Sequence, residues 1–126
     1  MFEVEIKTGF AAAHRLREYK GKCEHLHGHN YGVHVRVRSA APGRGGMIID
    51  FGDLKRITAG VLERLDHTYL NEIPPFDKIE PSAENLAAHI FEQIDQELSA
   101  NGEKGALHSV SVWESETAVA TFFRDR

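Results

Sequence analysis

The sequence of 126 residues has one cysteine, four prolines and no apolar stretch long enough to cross a bilayer. Because a lone cysteine forms no intrachain disulfide, Cys23 fits a reducing cytoplasm and offers a free thiol for chemistry. A membrane-spanning helix needs about 20 mostly apolar residues, and the N-terminus is charged from Glu3 onward, unlike a secretory leader. The chain also lacks an excess of basic residues, since its net charge is −4. We therefore expect a cytoplasmic protein with no membrane partner and no nucleic-acid partner.

The composition is that of a single globular domain covering residues 1–126, with 41% hydrophobic and 27% charged residues. Apolar residues alternate with charged ones from Phe2 onward, which predicts a half-buried strand that continues to His14. The same alternation from Tyr31 to Arg38 predicts a second strand.

Helical spacing predicts two helices in the middle of the chain. Asp50 is suited to cap the first, whose apolar positions continue to Leu65, and Ser82 to cap the second, which ends near Asn101. The prolines between them make the segment 71–81 an ordered surface connection rather than a helix. Two more strands are predicted at 109–113 and 118–123. The order strand, strand, helix, helix, strand, strand predicts an α+β domain, with a four-stranded antiparallel sheet and both helices on one face.

The segment Cys23–His29 reads C-E-H-L-H-G-H and combines a thiol, a carboxylate and three imidazoles. Thiolate and imidazole are the side-chain ligands that Zn²⁺ prefers. In an extended strand His27 and His29 share a face, and His14 ends the apolar face of the first strand. These three histidines are therefore candidate metal ligands. Three histidines with the fourth position open are typical of a catalytic zinc site.

Two other interpretations of these residues stay open. The histidines could be hydrogen-bonded across the sheet without a metal, and Cys23 as a fourth ligand would make a closed structural site. Cys23 nevertheless lies in a basic loop, a setting that favours a reactive thiolate.

Four basic residues against one acidic residue separate the first candidate ligand from the cysteine. Charge that lines a cleft concentrates ligands of the opposite sign, so this loop predicts an anionic substrate. A solvated surface loop is the alternative. The basic residues are Arg15, Arg17, Lys20 and Lys22.

Carboxylates at two further places are candidates for function. Asp66 beside His67 resembles a carboxylate-oriented base, although adjacent residues seldom contact each other and a polar helix end explains the pair equally well. Glu114 continues the apolar face of a strand, where a charge needs a partner. A fixed carboxylate suits a ring that presents two donors, such as a guanidine-like N–C–NH₂ edge.

In this order, these residues resemble the 6-pyruvoyltetrahydropterin synthase and 6-carboxytetrahydropterin synthase family over nearly the whole chain. No single motif is specific, but the set is. The motifs are A-A-H-R-L at Ala12–Leu16, C-x-x-x-H-G-H at Cys23–His29, I-I-D-F at Ile48–Phe51, L-D-H-x-Y-L-N at Leu65–Asn71, P-S-A-E-N at Pro81–Asn85 and the glutamate of V-W-E-S.

The resemblance implies a tunnelling fold, or T-fold, whose subunits close into a ring, usually a hexamer of two trimers. It implies that the three histidines bind Zn²⁺, which holds the side-chain hydroxyls of dihydroneopterin triphosphate. It also implies that Cys23 abstracts a proton, that Asp66 and His67 of a neighbouring subunit complete the relay, and that Glu114 anchors the pterin ring. The basic loop is our own candidate for binding the triphosphate, through Arg15, Lys20 and Lys22.

The resemblance leaves the product open. The compact loops favour the bacterial branch, which makes 6-carboxytetrahydropterin for queuosine, with release of triphosphate and acetaldehyde. A folate-pathway variant uses a glutamate in E-x-x-H-G-H and makes 6-hydroxymethyldihydropterin, and Glu24 satisfies that pattern. 6-Pyruvoyltetrahydropterin is a third product, and a non-catalytic zinc or pterin-binding module is a remote alternative. Ala83 replaces a hydroxyl found in other members, which leaves Ser82 as the hydroxyl of the pterin-contact loop.

Overall fold

Two long strands form the centre of the sheet and end at the candidate metal ligands. The computed structural model describes residues 1–22, 24–103 and 106–125. Strands β1 (Phe2–His14) and β2 (His27–Ser39) pair in an antiparallel manner along their whole length. The remaining elements are α1 (Phe51–Leu62), β3 (Thr68–Tyr69), α2 (Ala83–Ala100), β4 (Leu107–Ser115) and β5 (Ala118–Phe123), with short 3₁₀ turns at Arg44–Gly46 and Leu70–Glu72.

The sheet has five strands in the order β3-β1-β2-β4-β5, and β3 runs parallel to β1. The prediction of a four-stranded antiparallel sheet was therefore wrong. The sheet has one more strand than predicted, and the parallel β3 makes it a mixed sheet. The added strand pairs only Thr68 with Ala12 and Tyr69 with Ala13. An element of two residues has no periodicity, so the alternation that predicted the other strands could not reveal it.

Alternation along the strands places the apolar side chains on the face that the helices cover. Val33, Val35 and Val37 of β2 are fully buried, and so are Ile90 and Ile94 of α2. Burial of one such side chain contributes about 1.5–3 kcal/mol to the free energy of unfolding. Helix α1 packs on β1, helix α2 packs on β4 and β5, and the two helices contact each other. No helix in the described part of the chain is both long and apolar enough to span a bilayer.

Both predicted helix caps are present. The Asp50 carboxylate accepts a hydrogen bond from the Asp53 amide at 3.1 Å, and the Ser82 hydroxyl accepts one from the Asn85 amide at 3.2 Å. Helix α1 is shorter than predicted, because it ends at Leu62 and the chain then turns towards β1.

The segment 71–81 was predicted as a surface connection, and that prediction was incomplete. Phe76 is fully buried in this segment and belongs to the main hydrophobic cluster. Its ring packs edge-on against His89 of α2, with 5.2 Å between the ring centroids.

Packing against this segment makes His89 a source of pH-dependent stability. Burial lowers the pKa of His89 from 6.5; Arg64 also lowers it, while Glu92 opposes the shift. Because the folded pKa lies below the unfolded value, stability is complete above about pH 6.5 and falls as the pH drops towards the folded pKa. We expect His89→Gln to lose less unfolding free energy than the wild type between pH 7.5 and pH 5.5, as measured by urea denaturation. His25→Gln, at an exposed position, should behave like the wild type, and an unchanged pH dependence in His89→Gln would contradict the prediction.

Candidate metal centre and substrate site

Three imidazoles meet at the end of the β1–β2 pair. The strand register places His14 opposite His27 and Ala12 opposite His29. His14, His27 and His29 each offer one ring nitrogen, and these nitrogens all lie within 4.8 Å of one another. His14 is 2% exposed, whereas His27 and His29 are only partly buried. The site is thus drier at β1 than at β2.

Hydrogen bonds to two carbonyl groups determine which nitrogens of His14 and His27 face each other. His14 Nδ1 lies 2.8 Å from the Pro81 carbonyl oxygen, and His27 Nδ1 lies 2.7 Å from the His25 carbonyl oxygen. A carbonyl oxygen only accepts, so both Nδ1 atoms carry the proton. The two Nε2 atoms, 3.1 Å apart, then direct lone pairs at each other. A shared proton or a metal ion relieves that repulsion, and a tetrahedral zinc site places its ligand nitrogens about 3.3 Å apart.

His29 supplies the third nitrogen. Its Nε2 atom is buried and has no hydrogen-bond partner among the described residues, and the Glu114 carboxylate oxygen at 3.5 Å is too far or too poorly aligned to be one. Burial lowers the pKa of His29, and the other two histidines add to this, although Glu114 opposes it. A neutral imidazole with an unsatisfied nitrogen is the form that binds a metal. The residues present therefore fit a metal ion.

Tyr31 contacts His14, the most buried of the three histidines. Its hydroxyl oxygen lies 3.1 Å from His14 Nδ1, and its ring stacks on Phe10 with 4.8 Å between centroids. Tyr31 is 2% exposed, and burial raises its pKa. The phenol is therefore a fixed, protonated neighbour of the candidate metal ligand His14 rather than a base.

Glu24 lies beside the three histidines. One of its carboxylate oxygens is 3.9 Å from His27 Nε2 and accepts a hydrogen bond from the Leu16 amide at 3.1 Å. The Glu24 amide in turn donates to the Leu16 carbonyl at 2.9 Å. These two bonds hold the carboxylate at the edge of the cluster. Cys23, the other candidate base, lies outside the described residues.

Asp66 and His67 contact each other, contrary to the expectation for adjacent residues. The His67 Nδ1 atom is 2.9 Å from an Asp66 carboxylate oxygen, because His67 adopts a positive φ of 57° after α1. The Ala11 amide donates to Asp66 at 2.9 Å, and the His67 amide donates to the Ala11 carbonyl. The bond from Ala11 and the adjacent His67 ring lower the pKa of Asp66. The pair is thus an ionised carboxylate that orients an exposed imidazole.

His67 also shares a surface depression with one of the candidate metal ligands. His29, Gly28 and Asn30 line one side of this depression, and His67 and Thr68 line the other. The volume is about 470 Å³, which is ample for a small heterocycle.

Two predicted substrate-binding side chains flank the histidines. Glu114, near the end of β4, is 37% exposed and directs a carboxylate oxygen towards His29 at 3.5 Å. Ser82 follows Pro81, whose carbonyl binds His14, and its hydroxyl caps α2. The Ser82 hydroxyl thus accepts one hydrogen bond within the chain, and its O–H can still donate to a ligand.

The basic loop begins at Arg15, whose main chain is fixed, and continues into a tight turn that carries the two lysines. Arg15 is fixed through its main chain, since the Asn71 side chain accepts from the Arg15 amide at 3.0 Å and donates to the Arg15 carbonyl at 2.8 Å. Beyond it, main-chain bonds between Tyr19 and Lys22 close a tight turn. Lys20, at φ 53°, is inside this turn. The side chains of Arg15, Lys20 and Lys22 are exposed, so this end of the loop is available to an anion.

Comparison with known proteins agrees with this arrangement. The family model described as 6-pyruvoyl tetrahydropterin synthase matches residues 3–125. The chain belongs to this family. The structure of 6-pyruvoyl tetrahydropterin synthase from Caenorhabditis elegans is similar to it with a TM-score of 0.80 and 28% sequence identity, over 98% of this chain and 96% of that one. The expected T-fold is therefore confirmed, with the correction to its sheet given above.

Relatives within the 6-pyruvoyl tetrahydropterin synthase family carry two names. A protein of Synechocystis named 6-carboxy-5,6,7,8-tetrahydropterin synthase is 38% identical over 131 residues, which is 100% of this chain and 96% of the relative. Human 6-pyruvoyl tetrahydrobiopterin synthase is 28% identical over 134 residues, which is 95% of this chain and 90% of the relative. The chain is thus more similar to the first than to the second.

Proposed function

We propose that the protein is a zinc-dependent 6-carboxytetrahydropterin synthase. It would convert 7,8-dihydroneopterin triphosphate and one water molecule to 6-carboxy-5,6,7,8-tetrahydropterin, triphosphate and acetaldehyde. The observation that carries the proposal is the trio of histidine nitrogens with the Glu114 carboxylate next to it, in a chain whose full-length relative bears that name. The product belongs to queuosine biosynthesis in the cytoplasm.

Each residue of the site has a part in this reaction. His14, His27 and His29 would hold the zinc ion, which supplies Lewis acidity that lowers the pKa of a hydroxyl on the substrate side chain. Glu114 would accept two hydrogen bonds from the pterin N–C–NH₂ edge, a charge-assisted pairing that fixes the ring. Ser82 would donate a hydrogen bond from its hydroxyl group to the same ring.

We assign proton transfer to Cys23 and to the Asp66–His67 pair. Cys23 would take the proton from the substrate side chain, and His67, oriented by Asp66, would return or relay it. His67 is exposed in the single chain and β1 has no strand partner along its outer edge from residue 2 to 10 within the described chain. Both features support an assembly in which neighbouring subunits pair and share sites, and we propose a hexamer of two trimers.

Glu24 supports a second candidate function. Its carboxylate oxygen is 3.9 Å from His27 Nε2, within reach of a ligand bound at the histidines. Acting as the base in place of Cys23, Glu24 would favour side-chain cleavage to 6-hydroxymethyl-7,8-dihydropterin. A 6-pyruvoyl product remains the third possibility for the same substrate, and a zinc-binding module without activity is the fourth.

Incubation with dihydroneopterin triphosphate and identification of the products distinguishes these functions. The proposal predicts acetaldehyde and a carboxylated tetrahydropterin in equal amounts, with loss of turnover after chelation and recovery with Zn²⁺. Detection of 6-hydroxymethyldihydropterin as the main product would assign the protein to the folate pathway instead. Absence of turnover by the zinc-loaded protein would support the fourth candidate, a zinc-binding module without activity.

The exposed lysines of the basic loop are expected to bind the triphosphate. The double variant Lys20→Gln, Lys22→Gln should raise KM roughly five- to thirtyfold, because two exposed charge pairs contribute about 0.5–1 kcal/mol each. The kcat should change little, since the lysines do not contact the reacting carbons in this assignment. The control Lys55→Gln, an exposed lysine on α1, should keep the wild-type KM. An unchanged KM in the double variant would exclude this loop as the phosphate site.

A further inference from the structure

Arg17 is part of the basic loop, yet its guanidinium group is used inside the chain. It donates from Nη2 to the carbonyl oxygens of Phe76 at 2.6 Å and Asn71 at 3.3 Å. From Nη1 it donates to the Ile79 carbonyl at 3.2 Å and to a Glu80 carboxylate oxygen at 3.3 Å. One side chain thus ties the loop after β1 to most of the segment that precedes α2. A guanidinium group this heavily hydrogen-bonded is poorly placed to bind a substrate phosphate.

Glu80 completes the attachment from the other side. Its carboxylate also accepts from the main-chain amides of Arg17 at 3.0 Å and Glu18 at 2.9 Å. Burial alone would raise the pKa of Glu80, but these amide bonds and the Arg17 guanidinium outweigh burial and lower it. The main-chain carbonyl of Glu80 accepts from the Asn85 side chain at 2.9 Å. Glu80 is therefore fixed by charge on one side and by α2 on the other.

The residue that follows Glu80 is the one that orients a candidate metal ligand. The Pro81 carbonyl accepts from His14 Nδ1 at 2.8 Å. That bond places the proton on Nδ1 and directs Nε2 towards the other two histidines. Partners of this kind around a metal ligand set its tautomer and ring orientation, and their loss typically costs ten- to a hundredfold in metal affinity.

We propose that Arg17 is a positioning residue for the metal centre: by clamping Glu80 it holds the Pro81 carbonyl against His14. The inference rests on the proposed metal site and extends it to a residue outside the candidate ligand set. Arg17 and Glu80 are 35% and 32% exposed, so the clamp is partly shielded from solvent.

The test is a Zn²⁺ affinity measurement by chelator competition on the purified full chain. Arg17→Met should bind Zn²⁺ on the order of tenfold more weakly than the wild type, the lower end of that range, because the Pro81 carbonyl and the two main-chain amide bonds to Glu80 remain. Arg17→Lys should recover only part of the affinity, because an ammonium group cannot donate to four acceptors in a planar fork. The Co²⁺-substituted Arg17→Met protein should also show a shifted d–d absorption spectrum, which a loss of stability alone would not cause.

Arg124 offers a matched control far from the histidines in sequence. It is 33% exposed, pairs with Asp95 and donates to the Leu107 carbonyl at 2.8 Å. Arg124→Met should lower stability yet keep the wild-type Zn²⁺ affinity. Wild-type affinity in Arg17→Met, or an equal loss in Arg124→Met, would overturn the positioning role. Failure of the wild type itself to bind Zn²⁺ would instead overturn the proposed metal centre.

Discussion

The variant His29→Ala should lose tight Zn²⁺ binding and all detectable turnover. The buried Nε2 atom of His29 has no hydrogen-bond partner among the described residues, so its removal takes away a ligand and leaves only two nitrogens. Changes around a ligand already cost ten- to a hundredfold in affinity, and loss of the ligand itself should cost on the order of a hundredfold or more. Metal content after dialysis, chelator competition and product formation measure the effect.

His34→Ala is the matched control for this experiment. His34 lies on the same strand as His29 but on the opposite face by strand alternation, where it accepts a hydrogen bond from Trp113 Nε1 at 3.3 Å. The His34→Ala protein should retain one zinc ion per chain. A His29→Ala protein that keeps full zinc content and activity would show that the metal is held elsewhere.

Separate replacement of Cys23 and Glu24 should reveal the base. Cys23→Ala is expected to lower the rate of 6-carboxytetrahydropterin formation by about 10²- to 10⁴-fold, the usual contribution of a general base. Glu24→Gln should retain most of that rate, since its amide oxygen can still accept from the Leu16 amide and hold the loop. Both variants should keep their zinc, which separates a defect in proton transfer from loss of the metal.

Product analysis of the same two variants gives the sharper result. Two independent bases predict that each variant loses one product preferentially, the carboxylated pterin in Cys23→Ala and 6-hydroxymethyldihydropterin in Glu24→Gln. Equal rates and equal products in both variants would eliminate Cys23 as the base. Loss of all activity in Glu24→Gln alone would transfer the role to Glu24.

The sequence predicted the parts of the site that follow from local periodicity. Alternation placed His27 and His29 on one face, and the strand register brought them to His14. The caps Asp50 and Ser82 were likewise readable, because a capping side chain bonds to an amide only a few positions away.

Local sequence patterns could not predict the long-range contacts. The sequence separation between Arg17 and the main-chain carbonyls it binds exceeds 50 residues, so no spacing rule could show that this basic residue differs from its neighbours Lys20 and Lys22. Strand β3 was too short to produce a period. The contact between Asp66 and His67 depended on a positive φ, which a non-glycine residue rarely adopts and which composition does not reveal.

The adjacency of Pro81 and Ser82 has a thermodynamic consequence. One residue supports a metal ligand through its carbonyl, and the next closes the first turn of a helix that covers much of the core. Opening of that turn would release His14, so a metal that binds only the closed form stabilises it by RT ln(1 + [M]/Kd). Zinc would then stabilise this part of the fold as well as support turnover, and the Asn85 amide should exchange more slowly with solvent as free zinc rises.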